Sequence, residues 1–394
     1  MEAGLRNYLI VTGGYWAFTI TDGAIRMLVV LYFHLLGYAP FEVAMLFLFY
    51  EFFGVVTNLV GGWLGARVGL NKIMHIGMAL QVVALLMLTV PQAWLSVVYV
   101  MVAQALSGIA KDLNKMSAKA SVKVVAEQSQ GASLFKWVAV LTGSKNALKG
   151  FGYFIGAALL SWLEFRGALV VLATVLALVL AATMISLPAG VGKMSAKPKF
   201  TQVFSTSPAV NFLAAARLFL FASRDVWFVV GLPVYLYEVL GWSFNEVGGY
   251  LALWIIGYGA VQASAPRLLG RKRPPSGATA LMSVVGLIVV PAGIASALQL
   301  GLDPSSVVVI GLAMFGFLFA LNSAVHSYLI LAYSEAENVS MNVGFYYTAN
   351  AAGRLAGTVL SGWAYQQYGL VGCLWFSVGL LSAAAVTSLL LPRR

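Results

Sequence analysis

Charge is what this chain has least of. Asp, Glu, Lys and Arg make up only 9% of its 394 residues, 61% are hydrophobic, and the mean hydropathy is +0.89. So few charges cannot clothe a water-soluble domain of this length. One cysteine, Cys373, excludes an intramolecular disulfide and any thiolate cluster, so neither a metal nor a redox cofactor is expected. Carboxylates are scarcer than cations, 13 against 24, and no nucleophile with a base beside it stands out, which argues against an enzyme. The opening stretch MEAGLRNYLIVTGGYWAFTITDG has no short apolar core ending in a small-residue cleavage site, and Asp22 and Arg26 interrupt its apolar run, so it is expected to remain as a first membrane span.

Apolar runs fill the rest. Cut at Gly, Pro and charge clusters, they predict spans at about 8–36, 42–66, 73–91, 94–116, 131–162, 167–187, 209–240, 245–268, 278–299, 305–334, 339–366 and 370–391. The expected fold is therefore an all-α integral membrane protein of twelve helices. A polar connector, 188–208, divides it into bundles at 1–187 and 209–394. The halves resemble each other: LGYAPFEVAMLFLFYEFFGVVTNLVGGWLGARVGLNK parallels LGWSFNEVGGYLALWIIGYGAVQASAPRLLGRKR, and Asp22 and Asp225 fall at equivalent places. Duplication at half length predicts two pseudo-symmetric six-helix bundles that rock about a central site.

The cations sort by depth. With the amino terminus inside, fourteen fall on the inner side and only Arg166 on the outer, which predicts cytoplasmic termini and explains part of the net charge of +11 without nucleic acid. Nine remain at membrane depth: Arg26, Lys111, Lys115, Lys136, Lys145, Lys149, Arg217, Arg224 and Arg354, opposed only by Asp22, Glu51, Asp112 and Asp225. A charge at a helix centre costs about 2.5–3.5 kcal/mol even on the lenient insertion scale, so this excess must line a wet cavity. Clustered Arg and Lys repel one another unless an anion lies among them, and the implied ligand is a small polyanion. Arg26, Lys145, Lys149, Arg224 and Arg354 are the central candidates for binding it and are expected to converge on one cavity. Arg217, two turns from Arg224, comes next, then Lys111. Structural ion pairing is the competing role for each.

Asp22 precedes Arg26 by four residues, and Arg224 adjoins Asp225, so these carboxylates, with Asp112, read as ion-pair partners or proton carriers. Glu51, with no cation near it in sequence, is the freer proton carrier. His34 and His326 read as helix-packing residues. Three small-residue motifs, Gly61/Gly65, Gly152/Gly156 and Gly353/Gly357, predict close helix crossings. Tyr15, Trp16, Trp137, Trp227, Trp254, Tyr346 and Tyr347 read as rings flanking the cavity or as an interface belt.

The segment GGWLGARVGLNK resembles the loop signature of the major facilitator superfamily at Gly62, Arg67, Gly69 and Lys72, with Ala66 where that signature has an acid. Further, TDGAIRMLVVLYFHLLGYAPFEVAMLFLFYEFFGVVTNLVGGWLGARVGL, LSGIAKDLNKMSAKASVK, LFKWVAVLTGSKNALKG and ARLFLFASRDVWFVVGLPVYL resemble the ArsJ organoarsenical efflux permeases. That resemblance implies export of 1-arseno-3-phosphoglycerate through the inner membrane. It also implies arsenate resistance and a functional link to glyceraldehyde-3-phosphate dehydrogenase, which makes the ester. One cysteine cannot supply the several thiolates that arsenite prefers, whereas a pentavalent oxyanion wants Arg and Lys. An exchanger of organophosphate for phosphate would use the same cations, and a polytopic enzyme or lipid-handling protein acting on anionic headgroups is a third reading. A monomer in the lipid bilayer, without cofactor, is expected.

Overall fold

The computed structural model describes residues 3–38, 46–126, 131–188, 205, 207–242, 244–269, 274–335 and 338–393, and among these it is helical throughout, without strands. Helix α1 is Ala3–Leu35, α2 Leu48–Val68, α3 Leu70–Met87 and α4 Val97–Ala126. The run Gly131–Ser186 is two helices, α5 and α6, broken at Glu164. Then follow α7 (Pro208–Phe228), α8 (Gly231–Glu238), α9 (Phe244–Leu268), α10 (Gly277–Gln299) and α11 (Pro304–Ala332). The run Val339–Ser388 is α12 and α13, broken at Gly369. With α8 continuing α7 after two residues, the described helices make the twelve spans that the apolar runs predict. Six helical runs are long and apolar enough to cross a membrane on composition alone. Helices α4 and α7 fall below that mark because they carry the membrane-depth charges.

The turns follow from local chemistry. Gly69, at φ 101°, is the lone residue between α2 and α3, and its N–H donates to the Gly65 carbonyl at 2.9 Å. The Asp303 carboxylate accepts from the Ser306 N–H at 2.8 Å and caps α11. Hydrogen bonding from the Ser306 side chain, and then from its backbone N–H, holds the Asp303 carboxyl below the usual carboxylate range.

Contacts divide the chain into two units. The first comprises Met1–Gln130, Ser144–Phe204 and Ser334–Thr348, and the second Gly131–Gly143, Ser205–Tyr333 and Ala349–Arg394. The first unit's apolar core joins Ile25, Leu28 and Phe33 of α1 to Leu85, Val100, Phe165 and Leu169, with Tyr32 stacked on Phe165 at 4.0 Å. In the second unit Trp227 meets Phe315 edge-on at 5.1 Å within a core that includes Phe319, Leu287, Leu374 and Leu381. These rings and branched side chains fill the bundles and leave the polar faces of the helices to the site.

Each unit repeats one crossing. On α5, a Cβ added at Gly152 would lie 2.5 Å from the Ile20 carbonyl oxygen of α1, and one at Gly156 2.6 Å from that of Ala24. On α12, a Cβ at Gly357 would lie 2.7 Å from the Ala222 carbonyl oxygen of α7, and one at Gly353 would run into the Leu218 backbone. Only glycine lets these backbones approach so closely. The expected motif at Gly61 and Gly65 differs: Gly61 meets the Leu113 side chain and Gly65 that of Ser340, whose hydroxyl donates to the Gly62 carbonyl at 2.9 Å.

The repeat extends to the helix breaks. Lys149, Gly152 and Glu164 are spaced as Arg354, Gly357 and Gly369. Glu164 (φ 58°, ψ −179°) also adopts the conformation of Gly369 (φ 63°, ψ −165°). That region is essentially reserved for glycine and strains other residues by about 1–3 kcal/mol. Glu164→Gly is therefore expected to raise the thermal midpoint, with a gain of about 1 kcal/mol after the entropy of the unfolded glycine is counted. A midpoint equal to or below that of the parent protein would show that the Glu164 backbone is not strained.

Candidate functional site

The candidate residues of the first unit form a chain of alternating charge. Asp22, buried on α1, accepts a hydrogen bond from the Tyr50 hydroxyl at 2.5 Å through Oδ1, and its Oδ2 lies 3.4 Å from Lys149 Nζ of α5. Arg26 Nη2 reaches Glu51 Oε1 at 3.3 Å, and Lys111 Nζ stands 4.0 Å from Glu51 Oε2 and 3.7 Å from Asp112 Oδ2. Lys115 closes on Asp112 Oδ1. The Tyr50 ring lies between two cations, 4.6 Å from the Arg26 guanidinium carbon and 3.9 Å from the Lys111 ammonium. Further along α4 the Tyr347 ring lies 4.6 Å from Lys115 Nζ and 5.1 Å from Lys119 Nζ. Such ring faces stabilise a partly desolvated cation. Lys145 is different. It sits one turn before Lys149, partly buried, and makes no ion pair among the described residues.

Two expectations are corrected here. Asp22 and Arg26 do not pair along α1: Asp22 faces Lys149 and Tyr50, while Arg26 turns to Glu51 and the rings of Tyr50 and Phe47. Partners on neighbouring helices meet these groups head-on, whereas an i,i+4 pair would have to lie flat along the helix surface. Nor is Glu51 a carboxylate apart from cations, since it bridges Arg26 and Lys111.

The second unit uses arginine. Arg224 grips Asp225 Oδ1 through Nε at 2.6 Å and Nη2 at 2.5 Å, and Arg354 Nε approaches Asp225 Oδ2 at 3.5 Å. Asp225 therefore stands to Arg354 as Asp22 stands to Lys149, and each pair lies where the glycines bring its two helices together. Arg217, buried, donates from Nε to Asn350 Oδ1 at 2.8 Å and from Nη1 to Ser323 Oγ at 3.1 Å. The Phe221 ring, one turn from each, lies 4.0 Å from the Arg217 guanidinium carbon and 4.7 Å from that of Arg224. His326, one turn beyond Ser323 on α11, is buried, and its Nδ1 has no hydrogen-bond partner among the described residues.

Of the nine cations assigned to membrane depth, Lys136 alone is exposed, near the start of α5. Among the aromatic candidates Tyr347 flanks the lysines and Tyr15, Tyr346 and Trp227 are fully buried, whereas Trp16 is exposed and donates to Ser144 Oγ at 2.8 Å. The His34 side chain lies outside the described residues. Tyr50, Phe221, Ser323 and Asn350 are parts of the site that sequence reasoning missed. Asn350 and Arg354 are four apart, so helical period alone placed Asn350 on the arginine's face; nothing in FLFYEFF distinguishes Tyr50 from the packing rings around it. At the loop motif, Arg67 stacks over Trp63 at 4.9 Å and Ala66 is fully buried where the signature has its acid. A groove of about 640 Å³ at the junction of α12 and α13, lined by Tyr368, Gly372, Trp375, Phe376 and Gly379, contains no charge and is not this site.

Counting buried and partly buried side chains together, each unit thus presents more cations than carboxylates among the described residues, a lining that attracts an anion and repels a cation. The profile of the Major Facilitator Superfamily matches residues 11–328. The fold is similar to that of the human organic anion transporter MFSD10 (TETRAN), with a TM-score of 0.75 at 14% identity over 98% of this chain and 100% of that one. A bacterial homologue of the iron transporter ferroportin in its outward-facing state gives 0.73 at 13%, over 97% and 98%. The E. coli fucose:proton symporter FucP gives 0.73 at 10%, over 98% of both chains. No curated protein matches the sequence significantly.

Proposed function

We propose, from the premise that the chain belongs to the major facilitator superfamily and is a membrane transporter, that its cargo is a small organic polyanion carried out of the cell. The observation that carries this reading is the excess of buried and partly buried Arg and Lys over Asp and Glu among the described residues of each unit. In a low-dielectric lining such an excess is relieved by a bound anion. The resemblance to the ArsJ permeases names the cargo as 1-arseno-3-phosphoglycerate, an ester with an oxyanion at each end. The cation asymmetry of the loops supports an inner-membrane protein with both termini cytoplasmic. Alternating access then follows from rocking of the two halves, for which the close glycine crossings provide rigid bundles.

Cells that make this protein are expected to tolerate arsenate only when a glyceraldehyde-3-phosphate dehydrogenase supplies the ester, with arsenite tolerance unchanged. Growth curves in the two oxyanions, with and without the dehydrogenase, measure this. Protection from arsenite, or from arsenate without the dehydrogenase, contradicts the proposal.

A further inference from the structure

We infer that Tyr50 is a positioning residue of the first unit: its hydroxyl keeps hold of the Asp22 carboxylate when an arriving anion draws Lys149 away. This rests on the polyanion reading and deepens it, because it says how a buried counter-ion gives way to cargo without being left alone.

Asp22 is divided between two partners of different kinds. Its Oδ1 accepts from the Tyr50 hydroxyl at 2.5 Å, and its Oδ2 lies 3.4 Å from Lys149 Nζ. The backbones that carry these groups are pinned. A Cβ added at Gly23, next to Asp22, would lie 2.5 Å from the Lys149 carbonyl oxygen, and one at Gly108 of α4 would lie 2.5 Å from the Tyr50 carbonyl oxygen and 2.9 Å from its Cα. With helices held this close, the contacts change by rotation of side chains. The phenol has little room for that: Tyr50 is 1% exposed, with the Arg26 guanidinium carbon 4.6 Å from its ring and the Lys111 ammonium at 3.9 Å. Lys149 is the freer partner. Its ammonium ends a flexible four-carbon stem, and its side chain is 19% exposed against 3% for that of Asp22. An anion can therefore take the ammonium and leave the phenol in place.

Once Lys149 turns to the anion, the carboxylate decides the outcome. A buried carboxylate with neither ammonium nor hydroxyl donor would bear its desolvation penalty uncompensated, and the anion would bind more weakly by that amount. The Tyr50 hydroxyl supplies the remaining donor. Being neutral, it holds Asp22 without cancelling its charge, so Asp22 still attracts Lys149 back after the anion has left. The second unit is built otherwise. Trp254 of α9 stands where Tyr50 stands in the repeat, but its indole N–H, against Gly316, donates to the Leu312 carbonyl at 2.9 Å. There the carboxylate, Asp225, is held by the charged fork of Arg224, so the neutral donor is a feature of the first unit.

Isothermal titration with 3-phosphoglycerate, on the full chain in nanodiscs of zwitterionic lipid, tests this. Tyr50→Phe should weaken binding about tenfold to a hundredfold, the ratio for a buried charged acceptor that loses its donor. Asp22→Asn, which has no charge to hold, should bind at least as tightly as the wild type. Adding Tyr50→Phe to it should then change the affinity by no more than about twofold. A Tyr50→Phe protein that binds like the wild type overturns the inference. So does an equal loss with and without the Asp22 charge, which would make the hydroxyl a packing group only. Both results leave the exporter reading standing, because the wild type binds the anion in each. A wild type that does not bind 3-phosphoglycerate overturns the polyanion reading, and the inference with it.

Discussion

Asp225→Ala is expected to cost about 3–5 kcal/mol of stability, the range for removing one partner from a buried ionic group. Asp225 is only 1% exposed and lies against both Arg224 and Arg354. Without it two guanidinium groups face each other from α7 and α12, where Gly357 holds the backbones too close for them to separate. Asp225→Asn should cost less, because the amide oxygen still accepts a hydrogen bond. Asp22→Ala, at the equivalent place, should be milder than Asp225→Ala, since Lys149 can turn away from Lys145 in a way that a gripped fork cannot. Thermal midpoints of the purified variants, followed by tryptophan fluorescence, test the order. An Asp225→Ala protein as stable as the parent would mean that the pair of arginines needs no internal counter-charge.

The second large effect concerns transport. Arg224→Gln and Arg354→Gln should each slow carriage of the ester by about a hundredfold, since a charge-assisted hydrogen bond contributes roughly 1.5–3 kcal/mol. Arg224→Lys and Arg354→Lys keep the charge and lose the fork, so a loss of about tenfold is expected, near 1.4 kcal/mol. Lys145→Arg should be the mildest of the set. Lys197→Gln and Arg271→Gln, which the sequence places outside every span, serve as controls and should change little. Equal rates for the lysine and glutamine variants would show that only charge, not the fork, matters at these positions.

The architecture was legible because a membrane leaves few choices. Twenty apolar residues in a row read as a span, and that reading required no structure. The adjacency of Arg224 and Asp225 was legible for the same local reason. Pairing between helices was not. Asp22 and Arg26 have the spacing of a helical pair, yet each bonds elsewhere, because Lys149, Tyr50 and Glu51 arrive from α5 and α2 at distances that no single stretch of sequence encodes. Tyr50 was hidden in an aromatic run, and Glu51 looked solitary because both its cations come from other helices. Glu164 illustrates the opposite case: its glycine-like conformation is visible only in the backbone, although the matching position in the second half is a glycine.

Uptake of labelled 1-arseno-3-phosphoglycerate into everted membrane vesicles tests the central claim, that the Arg and Lys side chains at membrane depth serve a small organic polyanion. The account predicts saturable uptake above that of vesicles lacking the protein, competition by 3-phosphoglycerate stronger than by inorganic arsenate, and loss of uptake in Arg224→Gln, Arg354→Gln and Lys145→Gln/Lys149→Gln alike. Uptake no faster than in vesicles without the protein, or undiminished in those variants at normal protein levels, would contradict it.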